Sequence, residues 1–160
     1  MQNKIILGID PGYGRCGWGV IHVQGSESTC IDYGCIETPK EEELPTRLAI
    51  LHQELTKIVD KHKPDAVAIE ELFFAKNVTT ALGVAHARGI IMLCAVHHTG
   101  KIFQYKPAQV KQATTGIGNA DKKQVIEMVR IILGMEVAPK SDDAADALAV
   151  AICHSAFSRG

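Results

Sequence analysis

The sequence has no uninterrupted apolar run longer than residues 90–96, well short of the ~20 residues that a helical membrane span requires. Its opening apolar stretch, Ile5-Ile6-Leu7, gives way at once to Gly8 and Asp10, so no secretory h-region is expected. Cysteine is sparse and shows no pairing pattern. Cys16, Cys30, Cys35, Cys94 and Cys153 are odd in number and scattered, without a Cys-x-x-Cys pair. That argues against a disulfide scaffold and offers no zinc or redox motif, so reduced thiols in a cytoplasmic protein are expected. Neither sign of charge dominates, the formal net charge being −1, and composition alone names no polyanionic partner. Repeats, linkers and low-complexity tracts are lacking. With 160 residues, 46% of them hydrophobic and 22% charged, one domain over residues 1–160 is expected.

The near-neutral total hides an uneven distribution. Residues 27–71 carry 11 acids against 5 bases, whereas residues 100–130 carry 6 bases against 2 acids. Only such local fields steer a charged ligand.

Residues 4–10 (KIILGID) form a continuous apolar run that ends in an acid and then Pro11-Gly12, the pattern of a buried strand stopped by a turn. Residues 17–23 and 30–38 read as further strands, joined through the polar segment 25–28 into an antiparallel meander. Leu44, Leu48, Leu51, Leu55 and Ile58 recur at helical spacing and predict an amphipathic helix over 45–62 with Pro45 at its start. A short apolar strand over 66–70 (AVAIE) again ends in acids. Residues 77–96 read as a helix rich in small residues, 101–106 as a fifth strand, and 121–133 and 142–157 as two more helices. The expected class is α/β, with a mixed five-stranded sheet because three strands precede the first helix.

The acids sit at informative places. Asp10 and Glu70 each terminate an apolar strand, and α/β sheets bind ligands beyond the carboxyl ends of parallel strands. Asp143 and Asp146 are three apart, hence on one helix face, in first turns that favour negative charge. Four carboxylates converging at ~4 Å spacing repel by several kcal/mol unless a cation neutralises them or some stay protonated. Oxygen ligands without a His/Cys cluster select Mg²⁺ or Mn²⁺ rather than zinc. Two such ions are the apparatus of in-line displacement at a phosphodiester.

At this point the residues match a known pattern. The motifs are Gly8-Ile9-Asp10-Pro11-Gly12, Gly17-Trp18-Gly19-Val20, Ile69-Glu70, Phe73-Phe74-Ala75-Lys76-Asn77, Ala87-Arg88-Gly89 and Asp143-Ala144-Ala145-Asp146-Ala147-Leu148-Ala149. In order and over nearly the whole chain, they resemble the RuvC family of bacterial crossover junction endodeoxyribonucleases, the Holliday-junction resolvases. The resemblance implies a ribonuclease H-like fold, a five-stranded mixed sheet flanked by helices on both faces. It also implies a homodimer that nicks four-way junction DNA symmetrically, leaving 5′-phosphate and 3′-hydroxyl ends. Asp10, Glu70, Asp143 and Asp146 would be both the catalytic and the metal-binding residues, holding Mg²⁺ (or Mn²⁺ as a substitute), two ions per subunit. Lys111 and Lys122 match basic residues near the DNA, and Phe73 matches an aromatic that reaches toward bases at the junction centre. The family further suggests handover from a branch-migration complex of RuvA and RuvB, in the cytoplasm and away from any membrane.

Lys76, Lys106 and Lys123 join Lys111 and Lys122 as expected DNA contacts; lysines on phosphates give affinity and salt dependence but little sequence information. Tyr13 and Cys16 stand where the family usually has a small Ser or Thr and a Thr, and Glu71 adds an acid that strand alternation aims away from Glu70. The seven histidines show no metal-ligand spacing, His154 lies eight residues past Asp146 on the same helix, and Arg88 is expected to be structural. Three rivals remain open. One is a ribonuclease H-like nuclease acting on RNA or hybrid. Another is an actin-like ATPase or sugar kinase, suggested by Asp10-Pro11-Gly12 but needing a far longer chain. The third is a non-catalytic junction-binding module, which would have no use for four carboxylates.

Overall fold

A computed structural model describes residues 3–71 and 78–159 of the chain. The chain begins with three antiparallel strands, β1 (Asn3–Asp10), β2 (Arg15–Gln24) and β3 (Glu27–Glu37). Helix α1 (Leu44–His62), strand β4 (Ala66–Glu70), helix α2 (Val78–Thr99) and strand β5 (Ile102–Tyr105) follow. Three helices close the chain: α3 (Pro107–Thr115), α4 (Lys122–Ile132) and α5 (Asp142–Phe157). The sheet order is β3-β2-β1-β4-β5, with β4 parallel to both β1 and β5, so the sheet is mixed.

Alternation along the strands builds two cores. Leu7, Ile9, Val20, Val67 and Ile69 face Leu51, Leu55 and Val59 of α1 and Ala87 and Ile91 of α2. Ile6, Ile21 and Ala68 face the opposite way, onto Leu148 and Ala149 of α5 and Val125 and Val129 of α4. Helices therefore cover both faces of the sheet.

Helix α5 lies unusually close to the sheet because both surfaces are small. A Cβ on Gly8 would sit 2.1 Å from the Ala147 carbonyl oxygen, and one on Gly17 would sit 2.0 Å from the Asp143 carbonyl oxygen. Opposite these glycines α5 presents Ala144, Ala147 and Ala151, all fully buried. This approach brings the first turns of α5 down onto the ends of β1 and β2.

Several boundaries differ from the sequence reading. Gly25, at φ +61°, and Ser26 make a two-residue turn between Gln24 and Glu27, so β3 starts earlier and runs longer than residues 30–38. Helix α3 went unassigned, although Pro107 opens it, Gly116 at φ +79° closes it and the Gln109 side chain accepts from the Lys106 amide at 2.8 Å. By length and composition alone, α2 is apolar enough to cross a membrane, despite its short uninterrupted run. Its Gly83, Ala87, Ile91, Cys94 and Ala95 are buried, as in a helix that packs on a core.

Candidate active site

Asp10 and Glu70 end neighbouring parallel strands. The register pairs Gly8 with Ala68 and Ile9 with Ile69, which leaves the two acids side by side one step further on. Both share the strand parity of Gly8 and Ala68, whose side faces α5. Asp143 and Asp146 come from the other direction, on the first turns of α5, whose N-terminus is capped by Ser141 Oγ accepting from the Ala144 amide at 3.3 Å.

The four acids lie within one another's electrostatic field. Burial first, then the charges of Asp146, Glu70 and Asp143, push the Asp10 carboxyl up to about 8, with Lys122 only partly opposing. Burial and Asp146 push Glu70 up to about 6, against the pull of Lys111. Asp146 is also raised, mainly by burial, with Lys122 pulling it back down. On Lys122 burial works the other way, yet Asp146, Asp142 and Asp143 together hold its ammonium above the ordinary value. When ionised, these acids thus form a buried excess of negative charge that Lys111 and Lys122 offset only in part. An oxygen-only donor set with that excess fits a hard divalent cation.

The acids share a field without being drawn to a common point. Among the described residues, no group of three acidic, imidazole or thiol side chains is gathered tightly enough to hold an ion. Asp143 supplies a physical reason: its carboxylate accepts from Arg15 Nε at 2.8 Å, and Arg15 also lies 3.2 Å from Glu37. Arg15 is a site residue that sequence reasoning missed, being 128 positions from Asp143 and joined to it only by the packing of α5 across β2.

A cleft of about 260 Å³ is lined by two of these carboxylates, Glu70 and Asp146, together with Lys111 of α3, Lys122 of α4 and the apolar Val110 and Val125. Lys122 also reaches Asp142 at 3.4 Å. Lys106 and Lys123 are exposed and do not line this cleft. Phe73 and Lys76 lie outside the described residues. Glu71 takes the opposite strand parity to Glu70, and its charge acts on Arg88 of α2. His154 is not part of the site. Eight residues along α5 carry it ~12 Å toward the other end of the sheet, where its Nδ1 meets the Tyr105 hydroxyl at 2.7 Å.

The loop after Asp10 is held firmly. Thr38 Oγ1 donates to the Tyr13 carbonyl, Arg47 Nε donates to Thr38 Oγ1 at 2.8 Å, and the Arg47 guanidinium lies 4.9 Å from the Tyr13 ring centre. The other edge of that ring fills the space left by Gly83, where a Cβ would come within 2.3 Å of it. Tyr13 therefore acts here as a packing wedge between α1 and α2.

Comparison with known proteins agrees with this architecture. The family model described as crossover junction endodeoxyribonuclease RuvC matches residues 6–154. The protein of that name from Alkaliphilus metalliredigens is 51% identical over 151 residues, covering 94% of this chain and 92% of its own length. Its namesake from Petrotoga mobilis is 49% identical over 155 residues, covering 97% and 95%. Among solved structures, Thermus thermophilus RuvC in complex with Holliday junction substrate superposes with a TM-score of 0.91 at 36% identity, covering 98% of this chain and 95% of that one. The ribonuclease H-like sheet, the acids at its edge and these relationships lead to one conclusion: the chain belongs to the RuvC family of crossover junction endodeoxyribonucleases.

Proposed function

We propose that this chain, acting over residues 1–160 as one nuclease domain, resolves four-way DNA junctions as a homodimer, each subunit cutting one phosphodiester at a site formed by Asp10, Glu70, Asp143 and Asp146. Crossover-junction endonuclease activity and dependence on a divalent cation go with the family. The observation that carries the site assignment is the convergence of Asp10, Glu70, Asp143 and Asp146 at one end of the sheet, where burial first and then the other three acids push Asp10 up to about 8. Mg²⁺, two ions per subunit with Mn²⁺ as a substitute, would supply Lewis acidity at the scissile phosphate and an activated water.

The chain's own groups do the rest. Asp10, Glu70 and Asp146 hold negative charge in place for the ions, and Asp143 joins them by leaving Arg15. Lys111 and Lys122, which both line the cleft, hold the phosphate backbone over the carboxylates. Lys76, Lys106 and Lys123 extend that contact to the DNA on either side, and Phe73 engages the junction centre. In-line attack leaves a 5′-phosphate and a 3′-hydroxyl.

A two-fold dimer matches a two-fold junction. Support for the contact lies on α2, where Val78 (71% exposed), Leu82 (58%), Leu93 (51%) and Val96 (44%) leave an apolar stripe in solvent. Gly89 on the same helix has nothing within 4 Å of where a Cβ would stand, so a second backbone can approach there. Receipt of junctions from RuvA and RuvB, in the cytoplasm, completes the reading.

The test is incubation of the purified protein with an immobile four-way DNA junction and, separately, an RNA–DNA hybrid duplex, with and without Mg²⁺. Paired nicks in the junction alone, and only with Mg²⁺, are expected. Cleavage of the hybrid instead, or cleavage in EDTA, would overturn the assignment.

A further inference from the structure

We infer that Arg88 is a positioning residue for strand cleavage: its guanidinium bridges the ends of β4 and β5 from α2 and thereby fixes the strand end that carries Glu70. One donor group of Arg88 bonds the backbone carbonyl of Glu70 and the other bonds the side chain of Gln104. Glu70 is the last residue of β4, and the registered pairing with β1 has already stopped at Ile69. Its carbonyl therefore takes a side-chain donor where the sheet ladder toward β1 ends. On the other edge, the Glu71 amide still donates to the Tyr105 carbonyl at 2.7 Å, so Arg88 closes the one side left loose.

The chemistry of the helix singles out this contact. Arg88 is the lone Arg, Lys, Asp or Glu in the 22 residues of α2, half-buried on an otherwise apolar and weakly polar helix. Burial disfavours its charge, and Glu71, on the same strand end but the opposite face from Glu70, compensates in part. A planar guanidinium can satisfy two acceptors on neighbouring strands at fixed geometry, which an ammonium cannot. Arg88 also borders a second cavity of about 260 Å³ that has Asp10, Glu70 and Glu71 on its walls, and it does not line the cleft of Lys111 and Lys122. Five positions earlier on the same helix, Gly83 receives the Tyr13 ring from the loop after Asp10. One helix thus braces the strand ends of both Asp10 and Glu70.

The inference rests on Glu70 serving the metal site, so Glu70→Gln is the companion control. Wild type, Arg88→Met, Arg88→Lys, Gln104→Leu and Glu70→Gln would be compared as full-length proteins in three measurements. These are Mn²⁺ binding by electron paramagnetic resonance, junction affinity in EDTA and single-turnover junction cleavage. A loss of placement by an ångström costs about a hundredfold, so Arg88→Met should cleave about a hundredfold more slowly and bind Mn²⁺ more weakly, with junction affinity in EDTA unchanged. Arg88→Lys should recover part of both, because one acceptor can still be reached. Gln104→Leu should show a smaller loss of the same kind and decides the matter if Arg88→Met does not fold. Wild-type cleavage and Mn²⁺ binding in Arg88→Met or, failing that, in Gln104→Leu would overturn the inference, as would slow cleavage explained by lost junction affinity. Wild-type cleavage by Glu70→Gln would instead overturn the metal-site reading beneath it.

Discussion

The two ends of α5 both bury titratable groups, and they treat them in opposite ways. At the N-terminal end, burial first and then repulsion from neighbouring acids drives Asp10, Glu70 and Asp146 upward. At the C-terminal end His154 is 4% exposed, stacked on Phe103 at 4.2 Å and bonded to the Tyr105 hydroxyl. Burial, with help from Lys4, lowers its imidazole to about 4, so it stays neutral under ordinary conditions. Desolvation acts in both places. The difference is the partner: His154 has one inside the fold, whereas the acids open onto a cleft and need a cation from solution. That contrast separates a buried polar group that completes a core from one that makes a site.

The sharpest way to break this contrast is to neutralise one acid. Asp10→Asn should lower single-turnover junction cleavage by about 10²–10³-fold or more; it should keep junction binding in EDTA, and strengthen it above pH 8, where a charge facing phosphates is gone. Cleavage at the wild-type rate would place the chemistry elsewhere.

The same substitution should stabilise the cation-free protein. The Asp10 carboxyl rises to about 8 in the folded state, against an unfolded value of about 3.9. Between those values the native protein holds a proton that the unfolded chain has released, so stability falls as pH rises through that window. At pH 8 in EDTA, Asp10→Asn is expected to gain a few kcal/mol, roughly 5–10 °C in Tm for a chain of this size. At pH 4 the advantage should vanish. Thermal melts at both pH values check the sign.

His154 should behave in reverse. Its folded value is depressed, so its contribution is present above about 6.5, is lost as pH falls toward 4, and is unrelated to chemistry. His154→Leu should cost about 1–3 kcal/mol at pH 7, chiefly by leaving the Tyr105 hydroxyl unpaired, and less at pH 5. Urea midpoints report this, and cleavage per folded molecule should not change. The smallest expected effect concerns a wall of the cleft. Lys111→Ala should reduce the salt slope of junction binding by about one phosphate contact. An unchanged slope would move the DNA path off α3.

Much of the acidic end was legible in the sequence because it depends on local rules. Strand alternation puts Asp10 and Glu70 on the face of Gly8 and Ala68, and helical spacing pairs Asp143 with Asp146. What depended on tertiary distance was not legible. The Arg15–Asp143 pair exists because antiparallel β2 returns beside Asp10 under α5. Helix α3 buries only Val110 and Thr114, too few for an apolar stripe, so its Pro and Gly boundaries were the available signal. The eight-residue spacing of His154 from Asp146 shows that they share a helix, and the ~12 Å rise over that spacing is what separates His154 from the site. For Arg88 the sequence supports only the expectation of a structural role. Its bonds go to the Glu70 carbonyl and the Gln104 side chain, which no residue pattern displays.

The central claim is that Asp10, Glu70, Asp143 and Asp146 form one electrostatic site whose repulsion a divalent cation relieves. Its most direct test is the Tm shift produced by Mg²⁺ at pH 8 in wild type, Asp10→Asn and Asp146→Asn. A rise in wild type that is lost in both variants is the predicted result. An equal rise in all three proteins would contradict it.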